Sequence, residues 1–106
     1  MMIRGDVHEV NLRRAGGRVQ HGSRCAVVVQ ANDLMALSTV VICPTSRSAQ
    51  DASFHPEVEL KGERTKVLCE MVRPFDIRKL GDHICHLSLD EIAAVDDALG
   101  LVLELN

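Results

Sequence analysis

The chain has 106 residues, of which 46% are hydrophobic and 25% charged, values typical of one soluble globular domain spanning residues 1–106. It contains no apolar run of about eighteen residues and no signal-peptide pattern, which excludes a transmembrane helix and leads us to expect a cytoplasmic protein. It has no Trp, no Tyr and two Phe, which excludes RNA-binding folds that stack bases on rows of aromatic side chains.

The net charge of −3 is unevenly distributed along the chain. Residues 10–50 carry five arginines and one acidic residue, whereas residues 82–106 carry six acidic residues and no Lys or Arg. One half of the molecule can therefore face a polyanion while the other half faces solvent or a basic partner. The alternative is a solvated surface on which charges cluster by chance.

The first half of the chain predicts three strands and one long loop. Alternating apolar residues predict a strand over residues 6–12, and glycines among arginines predict a mobile loop over residues 13–23. Continuous β-branched runs at residues 25–30 and 38–43 are typical of strands that are covered on both faces. We expect Pro44 to end the third strand.

The second half predicts a hairpin, a short strand and a helix. Ser88 followed by Glu91 is a capping box, and Asp90 also suits the positive end of the helix dipole. Apolar residues then recur at helical spacing, at Ile92, Val95, Leu99, Val102 and Leu103. The elements before the helix are a polar loop (residues 45–53), a strand (57–60), a turn (61–63), a returning strand (65–70) and a short last strand (83–87).

These elements predict a mainly β fold. Five or six short strands followed by one amphipathic helix describe a small, twisted, barrel-like sheet. The helix is needed to cover one open end of its core. We find no internal repeat and no linker that would divide the chain into two domains.

The cysteines and histidines do not predict a metal site. The four cysteines form no Cys-x-x-Cys pair, and their spacings match no common zinc pattern. Three of them, Cys25, Cys43 and Cys69, lie in apolar strand-like runs, where Cys behaves as a small hydrophobic residue. His83 and His86 flank Cys85, but strand alternation places residues 83 and 85 on one side and residue 86 on the other, a poor geometry for chelation.

Two polar strand ends are the candidates for chemistry, because the common nucleotide-binding and hydrolase motifs are absent. Arg24 enters the second strand, and Thr45 leaves the third. If these strands pair as a hairpin, Arg24 and Thr45 fall at the same end of the sheet, beside the arginine-rich loop. That arrangement is a plausible phosphate site. The alternative is an Arg at a strand edge and a Thr at a strand end without a functional role.

Four segments carry a resemblance to a known family: residues 4–7 (RGDV), 22–29 (GSRCAVVV), 40–46 (VVICPTS) and 67–73 (VLCEMVR). In this order and spacing, and with the closing helix, the sequence resembles the MazF/PemK family of toxin ribonucleases over nearly its whole length. The resemblance implies an SH3-like barrel, a homodimer and sequence-specific cleavage of single-stranded RNA without a metal or another cofactor. It also implies a cognate antitoxin that occupies the RNA groove.

The resemblance places the catalytic arginine at Arg24 and the catalytic threonine at Thr45. Three positions depart from the family pattern, which usually has Pro at Cys25, an acidic residue at Val19 and Gln at Met71. The further residues that we predict to bind RNA are Arg13, Arg14, Arg18, Gln20, His21, Ser23, Ser46, Arg47, Glu70 and Arg73.

The predicted reaction uses the ribose 2′-hydroxyl as the nucleophile and leaves a 2′,3′-cyclic phosphate and a 5′-hydroxyl. The planar fork of Arg24 suits the developing charge on the phosphoryl oxygens, and Thr45 can donate a further hydrogen bond. An arginine has a pKa above about 12 and is a poor base at neutral pH. The general base and acid stay unassigned, with His21 and Glu70 as candidates.

Two other interpretations of the function and one of the assembly stay open. A protein of this fold can bind without cutting, either as a gyrase inhibitor or as a degenerate member that binds RNA or antitoxin. The helix ends at residues 103–106 without the aromatic residue that such gyrase inhibitors often use. The strands at 25–30 and 38–43 hold more apolar residues than one barrel face can hide, which predicts an isologous dimer. The alternative is a monomer in which they form the barrel core.

Overall fold

The computed structural model describes residues 1–11 and 24–105. Within these ranges the chain forms seven strands and one α-helix, and its short 3₁₀ turns are Asn32–Leu34, Cys69–Met71 and Ile77–Lys79. The strands are β1 (Asp6–Val10), β2 (Arg24–Val28), β3 (Thr39–Ser46), β4 (Glu57–Leu60), β5 (Glu63–Val67), β6 (Arg73–Asp76) and β7 (His83–His86), and the helix is α1 (Leu89–Leu103). The loop predicted over residues 13–23, and the last residue of the predicted first strand, lie outside the described residues.

The strands form one sheet in which all pairs are antiparallel. Its order is β4-β5-β3-β2-β1-β7, and β6 adds to β3. The sheet curves into a nearly closed barrel whose core is covered by α1, so the predicted mainly β barrel with a C-terminal helix is confirmed. No helix in the described ranges is long and apolar enough to cross a membrane.

Strand β3 runs through Pro44, so the prediction that Pro44 ends this strand and that the loop starts at residue 45 is wrong. Val29 donates its N–H to the Val41 carbonyl at 3.0 Å. Because backbone groups alternate between the two edges of a strand, Pro44 faces the edge away from β2. There β3 changes partner from β6 to β5. The Pro44 carbonyl accepts the Leu68 N–H at 2.8 Å. Because this bond needs no N–H from Pro44, the proline can remain within the strand.

The apolar runs of β2 and β3 are buried on both faces within one chain. Val27 and Cys43 belong to the cluster that packs against Val95 of α1. Ala26 and Val28 belong to a second cluster on the opposite face of the sheet, which also contains Phe75. All four strand residues are at most 1% exposed. These central residues are covered within one chain, so their burial does not require the dimer that the apolar runs predicted.

The hairpin of β4 and β5 is confirmed, with a turn of two residues. Lys61 and Gly62 both have positive φ, at 50° and 85°, as a type I′ turn requires. Strand β5 ends at Val67, earlier than predicted, and the chain enters the 3₁₀ turn Cys69–Met71. Strand β6 was not predicted, because its four residues, RPFD, show no alternating pattern.

Helix α1 begins with the predicted capping box. The Ser88 hydroxyl accepts the Glu91 N–H at 3.1 Å, and the Glu91 carboxylate accepts the Ser88 N–H at 2.9 Å. Val95 and Leu99 are buried, as the apolar stripe predicts. Leu103 is 50% exposed, so its place in that stripe was predicted wrongly; the helix ends there, with Glu104 in the left-handed region.

A β-bulge between β1 and β7 overturns the predicted alternation of the histidines. The register slips between Val7 and His8, so that His8 pairs with His83 while Asp6 pairs with His86. Both His83 and His86 therefore reach the same carboxylate oxygen of Asp6, at 3.3 and 2.9 Å. The extra residue in β7 brings together two side chains that a regular strand would separate.

Candidate functional site

The antiparallel register of β2 and β3 places Arg24 and Thr45 at the same end of the sheet, as predicted. Ala26 pairs with Pro44, which brings the start of β2 beside the end of β3. Both side chains line an open cavity of about 430 Å³. The residues that line this cavity, called here the Arg24 cavity, are Arg24, Cys25, Thr45, Ser46, Arg47, Ser48, Leu60, Glu63, Thr65 and Ile84.

Thr45 is held in place by a hydrogen bond to the neighbouring strand. It is 6% exposed, and its hydroxyl donates to the Cys25 carbonyl at 3.0 Å. Since the hydroxyl carries one proton, this bond leaves its oxygen lone pairs available to a substrate group. In this structure Thr45 is thus arranged to accept a hydrogen bond, and the donor role expected from the sequence would require this bond to break.

The charges of the Arg24 cavity favour an anion. Arg24 and Arg47 supply two guanidinium groups, and Glu63 supplies one carboxylate, which accepts from Arg47 at 2.6 Å. Among the residues that the structure describes, Arg24 forms no ion pair. Its fork of N–H donors is therefore free of the described carboxylates and suits bidentate contact with a phosphate.

Hydroxyl groups surround the two arginines. Ser46 and Ser48 lie with their hydroxyl oxygens 3.3 Å apart, and Thr65 enters the cavity from β5. Ser48, Glu63 and Thr65 were not predicted to belong to the site. Glu63 and Thr65 lie on the predicted hairpin, and they reach the cavity because β5 pairs with β3, where Thr45 lies opposite Val67. No local pattern in the sequence identifies that strand pairing.

The thiol of Cys25 is not a nucleophile in this cavity. Burial, together with the charge of Glu9, raises the pKa of Cys25, while Arg47 opposes the rise. The thiol is therefore protonated at neutral pH, and a thiol is a far weaker nucleophile than a thiolate. The Arg24 cavity supplies cations and hydroxyl groups and offers no nucleophile of its own from this cysteine.

Other predicted RNA-binding residues lie elsewhere. Glu70, in the 3₁₀ turn Cys69–Met71, faces the ring of His55 at 2.8 and 3.0 Å and does not line the Arg24 cavity. Arg73 begins β6, with its guanidinium 6.0 Å from the centre of the Phe75 ring. Outside the described residues lie Arg13, Arg14, Arg18, Gln20, His21 and Ser23.

The described ranges, 1–11 and 24–105, hold no group of three or more His, Cys, Asp or Glu side chains that could bind a metal ion. His83 and His86 both contact Asp6, and these contacts are hydrogen bonds to one carboxylate oxygen. All four cysteines are free thiols.

Comparison with known proteins gives consistent matches along the chain. A family model described as "PemK-like, MazF-like toxin of type II toxin-antitoxin system" matches residues 3–103. A toxin candidate of Mycobacterium tuberculosis is 39% identical over 107 residues, covering 99% of this chain and 100% of the relative. The endoribonuclease MazF of Staphylococcus epidermidis is 29% identical over 113 residues, covering 100% of this chain and 94% of the relative.

Solved structures share the fold at low sequence identity. A mycobacterial endoribonuclease in complex with its cognate antitoxin superposes with a TM-score of 0.85 at 16% identity, covering 100% of this chain and 98% of the other. A MazE–MazF crystal structure from Deinococcus radiodurans superposes with a TM-score of 0.77 at 24% identity, covering 99% and 97% of the two chains. At these identities the likeness establishes the barrel fold alone.

Proposed function

The chain belongs to the family of PemK-like, MazF-like toxins of type II toxin–antitoxin systems, and from this premise we propose that it is a metal-independent endoribonuclease that cleaves single-stranded RNA, an mRNA interferase. The observation that carries the proposal is the Arg24 cavity, where an arginine without a described ion-pair partner lies beside a buried threonine hydroxyl. Access to mRNA would place the protein in the cytoplasm.

The proposed reaction is attack by the ribose 2′-hydroxyl on the adjacent phosphorus. A bond forms between the 2′-oxygen and phosphorus, and the bond from phosphorus to the 5′-oxygen breaks. The products are a 2′,3′-cyclic phosphate on the upstream fragment and a 5′-hydroxyl on the downstream one. The RNA supplies the nucleophile, so the protein needs to align the attack, stabilise the added negative charge and move two protons.

Arg24 is proposed to stabilise the phosphorus centre. Its guanidinium can donate two parallel charge-assisted hydrogen bonds to the phosphoryl oxygens, which gain charge in the transition state. Arg47 adds a second positive charge to the same cavity, although its Nη1 already donates to Glu63. Arg24 is thus the group best suited to bind the reacting phosphate.

Thr45 is proposed to orient the attacking group. Its hydroxyl donates to the Cys25 carbonyl at 3.0 Å, so the oxygen can accept a hydrogen bond from the 2′-hydroxyl of the RNA. Burial of Thr45 fixes that oxygen relative to Arg24 and limits the motion that would misalign the attack. The general base and acid stay unassigned: Glu70 faces His55, and His21 lies outside the described residues.

An RNA-cleavage assay with EDTA present tests the proposal. We expect purified protein to cut a defined single-stranded RNA, with mass spectrometry showing a cyclic phosphate on the upstream fragment. Arg24→Ala should lower the single-turnover rate by about 10²–10³-fold, and Arg24→Lys should recover little because a point charge cannot replace the fork. Arg78→Ala is the matched control, since Arg78 pairs with Asp76 on the surface.

Two results would contradict this function. Cleavage only after Mg²⁺ is added would mean that a metal ion does the chemistry. Intact RNA that is nevertheless bound by the wild-type protein would instead support the non-catalytic binder of the same fold. Near-wild-type rates for Arg24→Ala would remove Arg24 from the site even if the protein cleaves.

The proposed protein partner is a cognate antitoxin. The matched structures from a mycobacterial species and from D. radiodurans are complexes, with a cognate antitoxin and with MazE. A flexible acidic segment suits the positively charged Arg24 cavity and would block RNA there. If an antitoxin peptide binds equally well with and without a saturating non-cleavable RNA, the antitoxin and the RNA do not both bind in the Arg24 cavity.

A homodimer is proposed on the family resemblance alone, because β2 and β3 are already buried within one chain. Light scattering at micromolar concentration measures the assembly directly. We expect twice the chain mass of 11.6 kDa. A single species at 11.6 kDa would contradict the dimer and leave the cleavage proposal untouched.

A further inference from the structure

The loop that joins β3 to β4, residues 47–56, carries part of the Arg24 cavity. It contains no regular secondary structure, yet its first two residues, Arg47 and Ser48, line the cavity. A loop of this kind places its side chains reproducibly only if its own backbone is tethered. The contacts of residues 49–55 show what tethers it.

His55 makes hydrogen bonds through both ring nitrogens. Its Nδ1 lies 2.7 Å from the Gln50 carbonyl oxygen, and its Nε2 lies 2.8 and 3.0 Å from the two carboxylate oxygens of Glu70. A carbonyl and an ionised carboxylate can only accept, so each ring nitrogen has to donate a proton. The ring is therefore an imidazolium in this arrangement, with its side chain only 10% exposed.

The surroundings of His55 support the charged form. The hydrogen bond to Gln50 and then that to Glu70 raise the pKa of His55, while desolvation opposes them. The titratable neighbours of His55 are Glu70 and Cys69, which both lie in the 3₁₀ turn Cys69–Met71. From its own loop, the neutral ring of Phe54 packs edge-on at 4.7 Å.

A second cation binds the adjacent peptide unit of the same loop. The Lys66 ammonium donates to the Ala49 carbonyl at 3.1 Å and pairs with Asp51 at 2.6 Å, and its side chain is 18% exposed. The carbonyls of Ala49 and Gln50 are thus held by two different cations, one from β5 and one from the loop's own end. Glu70 binds the His55 imidazolium and so connects the end of the loop to the 3₁₀ turn.

We propose that the His55–Glu70 pair is a positioning device, in which the imidazolium clamps the loop so that Arg47 and Ser48 face the Arg24 cavity. The effect of this clamp on cleavage rests on the proposed ribonuclease function. The clamp itself is inferred from the hydrogen bonds of His55 and does not depend on that function. Glu70 then acts through His55 and holds a loop, instead of serving as the base or as an RNA contact. Because the clamp needs the charged ring, it is present below the raised pKa of His55 and is lost as pH rises through it.

The protonation state and the loop's order can be measured without RNA. In ¹⁵N NMR spectra of the wild-type protein over a pH series, both ring nitrogens of His55 should keep imidazolium shifts to a higher pH than those of an ordinary histidine, whose pKa is about 6.5. In His55→Phe, which keeps an aromatic ring and removes both donors, the backbone order parameters of residues 47–51 should fall from about 0.85 to below about 0.6, because a charge-assisted hydrogen bond to the loop is lost. Glu70→Gln should lower these order parameters less.

Glu57→Gln is the matched control, because Glu57 forms an exposed ion pair with Arg64 at 3.7 Å and holds no loop carbonyl. It should leave the order parameters of residues 47–51 unchanged. A His55 ring that loses its proton at or below the usual histidine value of about 6.5 would overturn the proposal. So would unchanged order parameters of residues 47–51 in both His55→Phe and Glu70→Gln. The wild-type NMR measurement decides even if His55→Phe fails to fold.

The effect on the proposed reaction is read from a pH profile of single-turnover cleavage. Wild-type activity should fall as His55 loses its proton, and Glu70→Gln should move that fall to lower pH, toward the usual value of a histidine. Glu57→Gln should not move it. If RNA stays intact while the NMR results are as expected, the clamp stands and the ribonuclease proposal fails. If cleavage occurs but the fall is the same in Glu70→Gln, the clamp does not act on the site.

Discussion

Thr45 and Thr65 are two buried threonines in one cavity that differ in their hydrogen bonds. Both are 6% exposed and both line the Arg24 cavity. The Thr45 hydroxyl donates to Cys25 across the β2–β3 pair, which fixes the direction of its lone pairs. Thr65 makes no hydrogen bond of this kind with the described residues. The two threonines therefore differ in whether a described hydrogen bond fixes the direction of the hydroxyl.

Thr45→Val should lower the single-turnover cleavage rate by about 10²-fold, because it removes the oriented oxygen and keeps the side-chain shape. Thr45→Ser should retain part of the activity, since it keeps the oxygen. Thr65→Val is the control and should cleave within a few-fold of wild type. Equal losses for the two valine variants would mean that Thr45 acts only through packing.

Asp6 is a buried carboxylate at the β1–β7 bulge. Burial raises its pKa, but hydrogen bonds from the Ile3 N–H, His86 and His83 outweigh this effect and hold the pKa of Asp6 below its usual value of 3.8. The ionised form of Asp6 is therefore favoured over the protonated form more strongly in the folded chain than in the unfolded chain. Its contribution to the free energy of unfolding is present above pH 3.8 and is lost as pH falls through the lower, folded value.

We expect Asp6→Asn to lower the free energy of unfolding at pH 7 by about 1–3 kcal/mol, since it weakens bonds to a buried acceptor. The difference from wild type should shrink as pH falls below 3.8. Urea unfolding followed by circular dichroism at several pH values measures both effects. Asp97→Asn, on the exposed face of α1, is the control and should change stability little. A difference that is the same at every pH would contradict the assignment to Asp6.

At the scale of elements, α1 is joined to the sheet through its first turn. One oxygen of the Glu91 carboxylate accepts the Ser88 N–H, and the other accepts the Glu59 N–H of β4 at 2.8 Å. Ser88 contributes only to the cap, whereas Glu91 contributes to the cap and to the contact with β4. The capping box thus also fixes where the helix lies on the barrel.

Glu91→Ala should therefore destabilise the protein more than Ser88→Ala, for which we expect about 1 kcal/mol. Denaturant midpoints with an unchanged m-value measure the two costs. The matched control is Asp90→Ala, because Asp90 lies in the same turn and makes no described hydrogen bond. If Ser88→Ala and Glu91→Ala cost the same, the bond to β4 contributes nothing to stability.

Across the whole molecule, charge is separated between the Arg24 cavity and the C-terminal part of the chain. The protein as a whole carries −3, yet the cavity has two arginines against one carboxylate. The closing helix region contributes acidic residues and no Lys or Arg. Under the proposed function, this separation of charge would attract RNA to the Arg24 cavity and repel it from the C-terminal part of the chain.

Binding of a non-cleavable RNA should weaken steeply with salt, at about 0.7 decades of affinity per decade of salt for each phosphate contacted. Arg24→Ala should reduce this slope by about one phosphate contact, whereas Arg78→Ala should leave it unchanged. Fluorescence anisotropy at several salt concentrations measures the slopes. A flat salt dependence for the wild-type protein would contradict phosphate binding in the Arg24 cavity.

The features that depend on neighbouring residues could be predicted from the sequence. The β-branched runs of β2 and β3, the hairpin around Lys61 and Gly62 and the capping box of α1 follow from periodicity and from local backbone preference. The meeting of Arg24 and Thr45 also followed, because one antiparallel pairing of adjacent strands was enough to bring them together.

Contacts between distant parts of the chain could not be predicted in this way. Glu70 meets His55 across 15 residues, and Asp6 meets His86 across 80 residues through a bulge that no local pattern encodes. Pro44 stays in β3 because β3 changes partner beside it, and the apolar runs are covered by elements from both halves of the chain. Periodicity specifies which side chains share a face of an element, but the partner of that face is chosen by packing of the whole chain.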